Sequence, residues 1–169
     1  MKDPKNIRKN LLTVLAVLCA LALGIAVGAL LLPKDGHLPP DRAPEQDPNA
    51  VPYEEDTSIP SGEGGSVTLR YQATAEIDRE SGTVSLAFVD PASSDQGLVI
   101  QLLIQGEVLA ESGLLPPGTA VYTLELLPGA AERLEPGGYD GSFLVSYYDT
   151  ENGQRSVLQT EAEIRVTVK

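Results

Sequence analysis

Twenty-four Asp and Glu stand against twelve Lys and Arg, one His and one Cys. Chemistry in this chain would therefore have to be carried by carboxylates. The densest oxygen cluster is Asp149-x-Glu151-Asn152-Gly153. A calcium loop of the EF-hand type needs ligands at positions 1, 3, 5 and 12. Counted from Asp149, the fifth and twelfth residues are Gly153 and Thr160, and neither offers a carboxylate. The cluster reads instead as a hairpin turn in which Asn-Gly supplies positive φ angles. Asp78, Glu80, Asp90 and Asp95 could gather at one end of a folded domain, and a carboxylate pair of the glycosidase kind is the catalytic arrangement these acids leave open. Residues 66–169 contain no His and no Cys. That excludes a Ser-His-Asp triad, a Cys-His pair, a His-based zinc site, a disulfide and a thiol nucleophile there. Gly62-Glu63-Gly64-Gly65-Ser66 lacks the lysine of a phosphate loop and reads as a hinge. No cofactor and no metal is expected.

The elements that would position these acids are strands. Val67, Leu69, Tyr71, Ala73, Ala75 and Ile77 alternate with Thr68, Arg70, Gln72, Thr74 and Glu76, the period of a half-buried sheet. Further strands follow through Val84, Leu86 and Phe88, then Leu98 to Gln105, Val108 to Leu109, Val121 to Leu127, Tyr139 to Asp149, and Ser156 to Lys169. Turns fall every 8 to 12 residues, and no 3.6-residue period interrupts them. About seven strands of this kind predict an all-β domain over 66–169, an antiparallel Greek-key β-sandwich.

Leu134-Glu135-Pro136-Gly137-Gly138-Tyr139 sharpens the expectation. Its tyrosine opens a strand just after a Pro-Gly turn, followed by the alternating Gly141, Phe143, Val145 and Tyr147. This step resembles the tyrosine corner of fibronectin type III and immunoglobulin-like domains, and the resemblance extends over residues 66–169. It implies that the Tyr139 phenol bonds back to upstream backbone while its ring packs inward. The whole layout also resembles the small single-pass surface proteins of Gram-positive bacteria.

The N-terminal third has another character. Leu11 to Leu32 is twenty-two residues without a charge, preceded by Lys2, Lys5, Arg8 and Lys9. As a helix rising ~1.5 Å per residue it is long enough to cross a hydrocarbon core of ~30 Å. The cations ahead of it predict a cytoplasmic basic segment at 1–10, a transmembrane signal anchor at 11–32, and a cell-membrane protein whose C-terminal domain is extracytoplasmic. The run exceeds the apolar stretch of a cleaved signal, although Ala20-Leu21-Ala22 and Ala26-Val27-Gly28 could satisfy a peptidase. Ala16, Ala20, Gly24 and Gly28 recur every four residues, a strip through which a weak homodimer could pack; a monomeric anchor is the alternative. Between anchor and domain, residues 33–65 interleave prolines with acids and read as a disordered stalk.

Residues 66–169 hold six Lys and Arg against fifteen Asp and Glu. Such a field repels phosphates, so nucleic acid is not an expected partner. With Tyr139 and Phe143 inward, Leu144 and Tyr148 should face outward beside Ser142 and Ser146, a candidate patch for stacking on a sugar or a partner side chain. These readings converge on a non-enzymatic surface module that binds an envelope protein or glycan, or serves as accessory subunit of an envelope complex. The alternatives are a small carbohydrate-active enzyme using a carboxylate pair and a purely structural spacer.

Overall fold

The computed structural model of the chain describes residues 37–53 and 69–169. Among them are nine strands: β1 Val51–Pro52, β2 Arg70–Tyr71, β3 Thr74–Asp78, β4 Thr83–Asp90, β5 Gln96–Ile104, β6 Glu107–Glu111, β7 Thr119–Glu125, β8 Gly137–Asp149 and β9 Arg155–Val168. One turn of 3-10 helix, Ala131–Arg133, precedes β8. The anchor segment 11–32, with Ala20, Gly24 and Gly28, lies outside the described residues. Among those described, no helix is long and apolar enough to cross a membrane.

Side-chain alternation builds these strands as the period of two requires. In β3, Ala75 and Ile77 are buried between exposed Thr74, Glu76 and Asp78. In the second half of β9, Ala162, Ile164, Val166 and Val168 are buried while Glu161, Glu163, Arg165 and Thr167 are exposed. Gln105 and Gly106 both take positive φ, 55° and 79°, and so close the two-residue hairpin between β5 and β6. In the β8–β9 turn only Gly153 does so, at 68°, and Asn152 does not. The Asn-Gly pair thus turns the chain through its glycine alone.

The expected seven-stranded antiparallel sandwich is corrected in one respect that matters. The strands form one continuous mixed sheet, in the order β1-β7-β4-β3-β9-β8-β5-β6, with β2 paired to β4 beside this path. The cause is β3, which pairs antiparallel with β4 on one side and parallel with β9 on the other. It joins what would otherwise be two separate sheets. At the opposite side, an isolated bridge between Ala110 and Leu126 and the Leu127 N–H bond to the Leu109 carbonyl, 2.8 Å, bring β6 against the end of β7. The sheet therefore curls back on itself. Its halves, β7-β4-β3 and β9-β8-β5-β6, follow the strand arrangement of immunoglobulin-like domains.

The core lies inside this curl. Phe88 of β4 and Phe143 of β8 meet edge to face at 5.6 Å, and Tyr71 stacks on Phe88 at 6.0 Å. Leu98, Ile100 and Leu102 of β5, Val145 and Tyr147 of β8, and Ile164 and Val166 of β9 complete it. Each fully buried large apolar side chain contributes roughly 1.5–3 kcal/mol relative to exposure.

A second correction concerns the domain boundary. Residues 37–53, expected within a disordered stalk, belong to the folded unit, which runs from His37 to Lys169. They cross the outer face of the sheet as a strap and end by pairing with it. Ala43 N–H donates to the Gly153 carbonyl at 2.8 Å, Leu114 N–H to the Glu45 carbonyl at 2.9 Å, and Asp47 N–H to the Leu114 carbonyl at 2.9 Å. Val51 and Pro52 then lie opposite Ala120 and Thr119 as an added edge strand. Proline is tolerated because Pro52 sits at a sheet edge, where a missing N–H costs no ladder bond. Pro40 holds the strap through its carbonyl, the group proline keeps, while Ala43 and Asp47 supply N–H donors.

Candidate functional site

The outer face of β5, β8 and β9 was the expected place for a binding surface, so its composition decides what is available. From β5 it receives Val99, Gln101 and Leu103, and from β8 Ser142, Leu144, Ser146 and Tyr148. The register sets Gly97 opposite Tyr148, Val99 opposite Ser146, Gln101 opposite Leu144 and Leu103 opposite Ser142. β9 adds Gln159, Glu161 and Glu163, opposite Ser146, Leu144 and Ser142.

The strap covers much of this face. Tyr148 is 1% exposed, and its phenol donates to the Pro40 carbonyl at 2.8 Å. Burial pushes that phenol up, with Arg155 pulling the other way. Gln101, also 1% exposed, donates to the His37 carbonyl at 3.0 Å and to Glu111. His37 Nε2 lies 3.7 Å from Glu111. Leu144 is half-buried, and Ser146 is buried, accepting from Gln159 at 2.9 Å. The expectation that Tyr148 stands exposed is therefore overturned. Its ring points outward from the sheet as alternation requires, but residues 37–40 already occupy the space in front of it.

What the strap leaves open is a shallow groove of about 310 Å³ toward the β5–β6 end. Leu103, Gly141, Ser142 and Ile164 form part of its lining, with Asp140, Glu161 and Glu163 around them. Ser142 donates to Glu161 at 2.7 Å, and Arg165 pairs with Asp140 at 2.7 Å. Gly141 is required here, since a Cβ on it would stand 2.7 Å from the Leu103 carbonyl oxygen. Beyond the other end of the face, β9 bulges. Ser146 faces Gln159 and Tyr148 faces Arg155, so three residues of β9 oppose one of β8. The bulge leaves Val157 fully exposed and Leu158 51% exposed.

The remaining candidate residues separate clearly. Tyr139 donates to the Glu135 carbonyl at 2.8 Å, and its ring packs against the core. Asp149 accepts the N–H groups of Glu151 and Asn152 at 2.8 and 3.1 Å, the geometry of a turn. Asp78 does the same for Glu80 and Ser81, and these backbone bonds hold its carboxyl below the usual range. Asp90 is unlike the other acids. It is 1% exposed, and neither carboxyl oxygen has a hydrogen-bond partner. Among the described residues, no group of three or more His, Cys, Asp or Glu could hold a metal ion.

Two buried acids escaped sequence reasoning. Asp47, buried within the strap, accepts Gly113 N–H at 2.7 Å and Asn49 N–H at 2.8 Å. The signal for it was faint: Ala50-Val51-Pro52-Tyr53 is a short, largely apolar break in a run of acids and prolines. Asp90 is one of four acids that could gather at one end of the domain, and nothing in its type says that β4 buries it.

Strand order, curl and strap together define an all-β domain of immunoglobulin-like layout with a covered outer face. No protein-family model matches the chain, and no curated protein matches it. Among solved structures it is similar to AggA, the major subunit of aggregative adherence fimbriae type I from Escherichia coli. The likeness has 12% identity and a TM-score of 0.28, and covers 67% of this chain and 97% of that one. At that level the likeness bears no weight for function.

Proposed function

We propose that this chain is a non-catalytic, membrane-anchored extracytoplasmic module that presents the uncovered part of its β8–β9 surface to an envelope protein or glycan. The observation that carries the reading is the strap. Only Pro33 to Gly36 separate the uncharged segment 11–32 from the first folded residue, His37. An anchor at 11–32 would be tied almost directly to the domain, without a long tether between them. In sequence, Pro60 and the acids Glu54, Glu55, Asp56 and Glu63 fall between β1 and β2 and not between the uncharged segment and the domain.

The surface offered to a partner is the groove of Asp140, Ser142, Glu161 and Glu163 together with the exposed Val157 and Leu158. Acidic rims of this sort favour a partner bearing cations or hydrogen-bond donors. Being an accessory subunit of an envelope complex is the form of the reading that fits a protein partner. Photocrosslinking groups placed at Val157 and at Glu163 of the full chain in intact cells test it. A discrete envelope protein captured from either position, and not from the strap-facing position 146, supports the accessory role. Glycan captured there supports envelope-glycan binding, and capture from neither position identifies a spacer and overturns the reading.

A further inference from the structure

The core of a small β domain is apolar for an energetic reason: a carboxylate taken from water without partners costs several kcal/mol or abandons its charge. Asp90 stands against that rule. Following Val84, Leu86 and Phe88, it continues the core-facing row of β4 and is 1% exposed. Neither of its carboxyl oxygens accepts a hydrogen bond. Its main chain is held firmly, since its carbonyl accepts Gly118 N–H at 2.8 Å and its register partner is Thr119. The side chain is thus fixed in place at the end of the curled sheet.

The groups around it offset that burial only in part. The 91–95 loop supplies Ser94, but that hydroxyl donates to the Gln96 carbonyl at 2.9 Å, and Asp95 of the same loop is exposed. From β7 come Thr119, Ala120 and Val121, none of them charged. From β8 comes Tyr147, fully buried, whose phenol shares a 2.8 Å bond with Thr160 of β9. Burial pushes the Tyr147 phenol up, and the field of Asp90 adds to it. Among the described residues, no Lys, Arg or His pairs with Asp90. An acid so enclosed is comfortable only as the neutral carboxylic acid.

We propose that Asp90 is a proton-controlled latch, closing the end of the sheet formed by β4, the 91–95 loop and the 115–118 loop when protonated, and loosening it when ionised. A carboxylic acid can lie within this end of the core, whereas a carboxylate gains its hydration only if the two loops part and admit water. The opening is local. Strands β8 and β9, paired from Gly137–Val168 to Ser146–Gln159, hold the rest of the sheet meanwhile.

Hydrogen exchange of the full chain in detergent micelles, between pH 5 and 8.5 and corrected for the intrinsic rate at each pH, tests the latch. Amides of residues 89–96 and 115–121 should lose protection by close to tenfold per pH unit from pH 5 toward 7 and then level off, while those of 139–145 lose little. Asp90→Asn should make the first group as flat as the second. A wild-type profile already flat, or one that Asp90→Asn leaves unchanged, overturns the proposal. Should that variant not fold, carbon-13 NMR of the wild-type carboxyl decides. A proton retained on Asp90 well above the ordinary carboxylate range supports the latch, and a midpoint near 4 overturns it.

Discussion

At the scale of single residues, burial decides the behaviour of two acids that look alike in the sequence. Asp78, fully exposed, is held below its ordinary value by the N–H groups of Ser81 and Glu80. Asp90 is pushed up from 3.8 to about 7 by burial, the nearby Ser94 hydroxyl offsetting only part of it. Between those two values the unfolded chain has lost the Asp90 proton while the folded chain keeps it. Stability therefore falls as pH rises through this window and levels above it, by up to about 4 kcal/mol if the whole difference is expressed. Asp90→Asn should remove that slope and melt higher than wild type at pH 8; thermal melts from pH 4 to 8 would show it, and parallel slopes would exclude it. Tyr139 gives a smaller test. Loss of its hydroxyl in Tyr139→Phe should cost about 1 kcal/mol through the bond to Glu135, measured by urea unfolding. The tyrosine was legible beforehand because its ring and its turn are local in sequence. Tyr148 was not, because alternation says which way a side chain points and never what lies in front of it.

Among the elements, two departures from the sequence reading share a physical cause. β3 was legible as a strand, but its two-sided pairing was not. A strand's period of two reports its faces, whereas pairing is a property of its edges. The strap was hidden for a related reason. Its prolines and acids have the composition of a chain that cannot fold alone, and it does not fold alone: donors from the domain, Tyr148, Gln101 and Gly113, bind oxygens the strap already carries. Gly113 is the point where that contact is tightest, since a Cβ there would lie 2.7 Å from the backbone of Asp47. Gly113→Ala should dislodge the strap and raise protease cleavage within residues 37–53, leaving the aromatic core intact. Limited proteolysis with peptide mapping reads this directly, and an unchanged pattern would mean that the strap is held elsewhere. Phe143→Ala, by contrast, empties the centre of the Phe88–Tyr71 cluster and should cost about 3–5 kcal/mol in chemical denaturation.

For the molecule as a whole, the acidic balance and the order of attachment matter most. With fifteen Asp and Glu against six Lys and Arg in residues 66–169, like charges repel one another across the folded unit, so moderate sodium chloride should raise its melting temperature. A calorimetric scan series from 20 to 300 mM salt checks the sign. The all-β class and most strand positions could be read from alternation and turns. The open groove could not, because its residues come from β5, β8 and β9 and meet only through register. The strap has one more consequence, which is mechanical. Tension entering the domain from its N-terminal side would meet the bonds of His37 and Pro40 first, then Ala43, then Glu45 and Asp47, and last the β1–β7 pairing. Taken in that order they yield one after another rather than together. Seventeen residues, with a contour length of ~55 Å at ~3.3 Å per residue, would peel away and lengthen the chain by that amount less the distance they already span, while the curled sheet stayed whole. The domain carries its own shock absorber, and force spectroscopy on the full chain should show that extension as a separate low-force event preceding unfolding.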